Sequence, residues 1–138
     1  MIYTDSNRGV IQNRARARQI IDFSGIRYGN ITPTDIDGFF ERGNMAFVFY
    51  EMKYGDADMP SGQKLALERL VDAMRAADKK AVLFLCRHDV DDANADVDAE
   101  KTTVDKVYFN GEWHDGKKKT LKEYSDAFMR WAVPDFLN

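Results

Sequence analysis

Four charged residues occupy two neighbouring segments of the chain with a spacing that suits a metal site. Asp35 and Asp37 stand two residues apart, as do Glu51 and Lys53, and side chains two apart share one face of a strand. If the two segments pair as a hairpin, two carboxylates face each other at about 5 Å and repel unless a cation separates them. Hard cations such as Mg²⁺ bind one or two carboxylates, a carbonyl and several waters. The pattern therefore predicts a divalent-cation site beside a lysine, which is chemistry suited to phosphodiester hydrolysis.

The register of this hairpin decides which carboxylates meet. A turn centred on Asn44 places Asp37 opposite Glu51. A turn centred between Gly43 and Asn44 places Asp37 opposite Tyr50 instead. Because a shift of register moves side chains relative to their partners, the sequence leaves both arrangements open. A solvent-facing hairpin with weak surface ion pairs is the plain alternative to a metal site.

Hydrophobic periodicity and turn residues predict the elements that position these groups. Apolar residues at helical spacing indicate helices, and short apolar or alternating runs between turn residues indicate strands. Asn110-Gly111 is a strong type I′ turn signal, and Thr120 with Glu123 forms a capping box. In chain order we expect a helix over 9–22, a short strand over 26–31, strands over 34–41 and 45–54, a helix over 60–77, a buried strand over 81–86, a hairpin over 103–109 and 112–114, and a helix from 120 to about 132.

Composition and charge restrict the class of protein. The chain has 138 residues, 44% of them hydrophobic, and a formal net charge of −3, which suits one globular domain. No apolar run is long enough for a membrane span or a signal peptide, and a single cysteine favours a reducing, cytoplasmic setting. Arg14, Arg16 and Arg18 form a basic group that can contact phosphates or merely face solvent, whereas 88–100 is an acidic loop. A homodimer is compatible with the sequence, but no surface for one is readable.

The order of these motifs resembles the PD-(D/E)XK nuclease superfamily, particularly small phage or prophage members. Asp37 matches the family's aspartate, with Asp35 as the alternative match, and Glu51-Met52-Lys53 matches its acidic-X-lysine motif. The resemblance implies that Asp37, Glu51 and the Met52 carbonyl bind Mg²⁺, with Mn²⁺ able to substitute. It gives Lys53 a role toward the water or the transition state, and Gln63 matches a glutamine that several branches carry on the following helix.

The resemblance also implies a fold and a substrate. The expected fold is α/β, with an αβββαβ core, a mixed central sheet flanked by helices, and a C-terminal hairpin and helix, in one nuclease-like domain over 1–138. The expected activity is metal-dependent hydrolysis of DNA, with Arg14, Arg16 and Arg18 contacting the backbone and Asp35 as an auxiliary carboxylate. The first helix lacks the further acidic ligand of many members. A catalytically silent module that binds nucleic acid or protein is therefore the alternative.

Overall fold

The computed structural model describes residues 18–136. The chain divides into two compact units, Met1–Pro33 and Thr34–Asn138. The second unit contains all the strands and helices that the described residues form. The expectation of one domain over 1–138 stays a prediction.

The helix predicted over 9–22 is wrong at its carboxyl end. Residues 18–22 form a turn and irregular backbone, and the earlier part lies outside the described residues. The Asp22 carboxylate accepts a hydrogen bond from the Ser24 N–H at 2.8 Å. Such a local bond to the backbone favours a turn over continued helical pairing.

The short strand predicted over 26–31 is also wrong. Tyr28 and Ile31 pair only with each other, through two backbone hydrogen bonds of 2.9 and 3.1 Å. Gly29 between them has a φ of 63°, a conformation that glycine adopts at little cost. The chain therefore reverses at this point and closes a turn, where the apolar pattern had indicated an extended strand.

The second unit is built on one mixed sheet of five strands in the order β1-β2-β3-β4-β5. The β2 and β3 strands are parallel, and the other three neighbouring pairs are antiparallel. The elements are β1 (Gly38–Arg42), β2 (Ala46–Tyr54), α1 (Ser61–Ala76), β3 (Lys80–His88), β4 (Thr103–Phe109), β5 (Glu112–Asp115) and α2 (Leu121–Ala132).

The two helices cover opposite faces of the sheet. Leu67 and Val71 of α1 pack in one apolar cluster with Phe49 of β2. Phe128 of α2 packs in a second cluster with Val48, the neighbour of Phe49 in the strand. Adjacent residues of a strand point to opposite faces, so β2 is covered on both sides. This explains why β2 and β3 are apolar along nearly their whole length, as expected of parallel strands in the centre of a sheet.

The structure confirms most of the predicted elements of this unit and their turns, but the strand predicted over 34–41 begins at Gly38, so Asp35 and Asp37 precede it. Asn110 and Gly111 have φ values of 56° and 77°, as a type I′ turn requires. Thr120 caps α2 by accepting a hydrogen bond from the Glu123 N–H at 3.2 Å, and the helix ends at Ala132, before Pro134.

The observed architecture confirms an α/β fold with a mixed sheet flanked by helices. Within residues 18–136, however, two strands precede α1, where the expected αβββαβ core has three. No helix in this part of the chain combines the length and apolar character needed to cross a bilayer.

Candidate metal centre

Pairing between β1 and β2 brings Asp37 to Glu51. Gly38 pairs with Tyr50 and Arg42 with Ala46, so the turn is centred on Asn44 and the first of the two registers is correct. Asp37 immediately precedes the paired Gly38, and Glu51 immediately follows Tyr50. A Cβ atom at Gly38 would lie 3.1 Å from the Tyr50 ring, so glycine at this position lets the two strands approach closely.

Asp37 is held by the backbone of β2. Its Oδ2 accepts a hydrogen bond from the Met52 N–H at 2.7 Å. In an antiparallel pair, the N–H and C=O of one residue point to the same neighbouring strand. The Met52 carbonyl is therefore directed to the side of β2 on which Asp37 lies.

Glu51 has a buried carboxylate, and one of its two oxygens lacks a hydrogen-bond partner among the described residues. Its residue is only 3% exposed. Oε1 lies 3.2 Å from the Lys53 Nζ, whereas Oε2 is buried without a hydrogen-bond partner among the described residues. A buried polar atom without a partner is costly and rare in proteins. A bound cation, or a proton shared with the Asp37 carboxyl, would supply the missing partner.

The electrostatics of Glu51 also favour a cation. Burial raises the pKa of the Glu51 carboxyl, the nearby Asp37 carboxylate raises it further, and the Lys53 ammonium acts in the opposite direction. A divalent ion bound between the two side chains would favour the ionised form of Glu51. Asp37, Glu51 and the Met52 carbonyl thus form an oxygen donor set that suits Mg²⁺, which keeps several waters as further ligands.

Gln63 and Asp35, which the sequence also suggested, are linked to each other and do not add a carboxylate to the centre. The Gln63 Nε2 donates a hydrogen bond to the Asp35 carbonyl at 3.3 Å, which links α1 to the segment before Asp37. No group of three or more acidic, histidine or cysteine side chains with metal-binding potential occurs within residues 18–136. The structure therefore does not bring Asp35 into the centre as a third carboxylate.

The predicted basic group lies mostly outside the described residues. Arg14 and Arg16 are not among them. Arg18 is exposed in a turn of the first unit. Their contact with a substrate stays a prediction.

Sequence reasoning missed a cleft next to the centre, on the face of the sheet that α1 covers. It has a volume of about 520 Å³, and we name it the cationic cleft. Three of its basic side chains are Lys64 of α1, Arg87 of β3 and Lys106 of β4, and Trp113 of β5 also lines it. These residues form no linear motif, because they meet only through the strand order.

Known proteins do not identify the chain. No family model matches it, and neither a curated protein nor a solved structure is significantly similar to it.

Proposed function

We propose that this protein is a metal-dependent nuclease that hydrolyses phosphodiester bonds in DNA. One observation carries the proposal: the buried, unpartnered Oε2 of Glu51, in a carboxylate that interacts with Asp37. The resemblance of Asp37 and Glu51-Met52-Lys53 to the PD-(D/E)XK motif supports the choice of reaction, and the pairing of β1 with β2 brings these residues together.

Asp37, Glu51 and the Met52 carbonyl would hold the divalent ion, Mg²⁺ or Mn²⁺. When bound, the ion polarises a phosphate oxygen and lowers the pKa of a coordinated water. Glu51 has a second task, since its Oε1 holds the Lys53 ammonium at 3.2 Å. Lys53 is 19% exposed, so a substrate can reach it from the solvent side.

Among residues 18–136, Lys53 is the cation that lies against the Glu51 carboxylate and can act on the substrate. Its ammonium can donate a hydrogen bond to a non-bridging phosphate oxygen, whose negative charge grows in the transition state. In the reaction, the oxygen of a water molecule forms a new bond to phosphorus and one ester P–O bond breaks. A proton from the water is lost to solvent, and the leaving oxygen takes up one proton. Lys53 stabilises the charge that develops between these events.

A catalytically silent module is the second candidate. The contacts that Asp37 and Lys53 already make within the chain favour it, because a hydrogen bond to the Met52 N–H and an ion pair with Glu51 can serve the fold alone. Such a module would bind nucleic acid or protein without cleaving it.

A cleavage assay separates the two candidates. Wild-type protein, Lys53→Met and the control Lys79→Met are incubated with single-stranded and duplex DNA in Mg²⁺, Mn²⁺ or EDTA. We expect metal-dependent cleavage by the wild type and the control, and a loss of about 10²–10³ in kcat for Lys53→Met, the usual effect of removing one transition-state donor. Lys79 lies just before the amino end of β3, and Lys53 at the carboxyl end of β2, so the control removes a charge far from the centre.

The same assay can refute the proposal. Undiminished cleavage by Lys53→Met would reject the role of Lys53. Absence of cleavage by wild-type protein in both metals would favour the silent module.

A further inference from the structure

The sheet register places the cationic cleft directly beside the candidate metal centre. Leu85 of β3 pairs with Glu51, and Arg87 pairs with Lys53. Both β3 residues line the cleft. Lys106 of β4 pairs in turn with Leu85, so Glu51, Leu85 and Lys106 form one row across the face. Adjacent strands are about 4.8 Å apart, which puts Lys106 roughly 10 Å from Glu51 along this row.

Two ammonium groups in the cleft lack a carboxylate partner. Among residues 18–136, neither Lys64 nor Lys106 forms an ion pair. Asp58 also lines the cleft, so the two lysines exceed this carboxylate by one charge. Glu68, one helical turn after Lys64, contacts the same Trp113, so the excess is small, but a lining with net positive charge attracts an anionic ligand.

Arg87 and Asp105 have a different role, because their charges compensate each other. Arg87 Nε lies 2.8 Å from Asp105 Oδ2. The same guanidinium donates hydrogen bonds to the carbonyls of Gly55 and Ala57 at 3.2 and 2.7 Å. Arg87 therefore fixes the loop between β2 and α1, which forms a wall of the cleft, and its charge is not available to a ligand.

Lys64 is held in place by aromatic contacts. Its Nζ lies 5.5 Å from the centre of the Trp113 ring, within the range of a cation–π interaction. Trp113 is itself fixed, since its Nε1 donates a hydrogen bond to Glu68 Oε2 at 2.6 Å and its ring packs on Tyr108 at 5.2 Å. Such an arrangement reduces the freedom that a lysine loses when it binds a ligand.

From these observations we infer that the cationic cleft binds the phosphate backbone of the substrate strand next to the scissile bond, through Lys64 and Lys106. The inference rests on the proposed hydrolysis, for which it supplies a binding track. Phosphates of one DNA strand recur every ~3.4 Å along the helix axis. The roughly 10 Å between Glu51 and Lys106 then accommodates a phosphate one to three nucleotides from the bond that is cut. Contacts of this kind bind without reading the base sequence.

Binding is measured separately from cleavage, by fluorescence anisotropy of labelled 20-nucleotide single-stranded and 20-base-pair duplex DNA. Ca²⁺ replaces Mg²⁺ so that cleavage does not complicate the titration, and KCl is varied. We compare wild-type protein, the double variant Lys64→Met/Lys106→Met and the control Lys79→Met. Loss of two phosphate contacts should reduce the slope of log K against log[salt] by about 1.8 for duplex or about 1.4 for single-stranded DNA. At low salt the double variant should bind at least about tenfold more weakly.

Each outcome of this experiment is decisive. A double variant that binds with the slope and affinity of the wild type overturns the inference, and metal-dependent cleavage would then leave the proposed hydrolysis intact. Absence of binding by wild-type protein also overturns it. A reduced slope in a protein that never cleaves DNA supports the cleft and rejects hydrolysis. The larger loss of affinity in the double variant, with single-stranded or with duplex DNA, identifies the form that the cleft prefers.

Discussion

Replacing Asp37 with Asn tests the metal centre with almost no change of shape. The Asn side-chain oxygen can still accept the hydrogen bond from the Met52 N–H, which Asp37 accepts at 2.7 Å. The variant removes one negative charge next to Glu51, whose pKa Asp37 helps to raise. We therefore expect the substitution to matter little for stability without a divalent ion and to matter clearly with one.

Without metal, two effects nearly cancel. Repulsion between carboxylates about 5 Å apart is worth roughly 0.8 kcal/mol in water and about 3 kcal/mol at an effective dielectric constant near 20. Because Asp37 is exposed, the lower end applies, and relief of repulsion stabilises Asp37→Asn by about 1 kcal/mol. Weakening a charged hydrogen bond to a neutral one costs a similar amount, about 1 kcal/mol. The free energy of unfolding should change by less than about 1 kcal/mol.

With metal, only the wild type should gain stability. A site with a Kd of about 1 mM adds about 1.4 kcal/mol at ~10 mM Mg²⁺, or roughly 4–7 °C in Tm for a chain of this size. Thermal unfolding is followed in EDTA and in increasing Mg²⁺. The matched control is Asp35→Asn, which removes the same charge two residues away and should keep the shift.

Two results would refute this reasoning. If Asp37→Asn gains as much Tm from Mg²⁺ as the wild type does, Asp37 is not a ligand. If wild-type protein gains nothing at ~10 mM Mg²⁺, Asp37 and Glu51 do not form a metal site of the expected affinity.

Two further predictions concern Glu51 and the packing of the sheet. The pKa of Glu51 is higher in the folded state than in the unfolded chain, so folded Glu51 keeps its proton at pH values at which the unfolded chain has lost it. Without metal, the free energy of unfolding should therefore fall as the pH rises through that range. Urea titrations in EDTA should show this fall in the wild type and not in Glu51→Gln, and the same pH dependence in both proteins would contradict the prediction. A Cβ at Gly116 would lie 2.0 Å from the Val104 carbonyl oxygen, so Gly116→Ala should lower the free energy of unfolding in urea by more than about 3 kcal/mol. The control Gly62→Ala should not lower it, because a Cβ at Gly62 has nothing within 4 Å. A Gly116→Ala protein as stable as the wild type would contradict the observed packing.

The parts of the fold that the sequence predicts well are those fixed by local chemistry. Asn110-Gly111 determines a turn through its own backbone preferences, and Thr120 caps α2 through a contact three residues away. The β2 strand is recognisable because burial on both faces requires a continuous apolar run. The strand predicted over 26–31 is wrong because an apolar pattern is a local feature and does not show that a partner strand exists.

The candidate site, too, has parts that local sequence patterns predict and parts that depend on tertiary packing. The pair Asp37 and Glu51 is predictable as one of two registers, and the structure selects the one centred on Asn44. The burial of Glu51 and its unpartnered oxygen are not predictable from the sequence, because they arise only when β3 pairs with β2 and α1 packs on that face of the sheet. The cationic cleft cannot be predicted from local sequence patterns. Lys64 and Lys106 are far apart in the chain and line one cleft only when β4 pairs with β3.

The net charge of −3 does not oppose a DNA substrate, because charges act locally at physiological salt, over about 8–10 Å. The Tyr54 hydroxyl donates a hydrogen bond to Asp91, so the acidic loop 88–100 is attached at the carboxyl end of β2, immediately after Lys53. In the proposed complex, phosphates that continue past Tyr54 toward this loop would meet repulsion. Those crossing β3 toward β4 meet Lys64 and Lys106 in the cationic cleft. If the proposed site binds DNA, this uneven charge would favour one direction for a strand leaving it, which a surface with evenly distributed charge and the same total would not do.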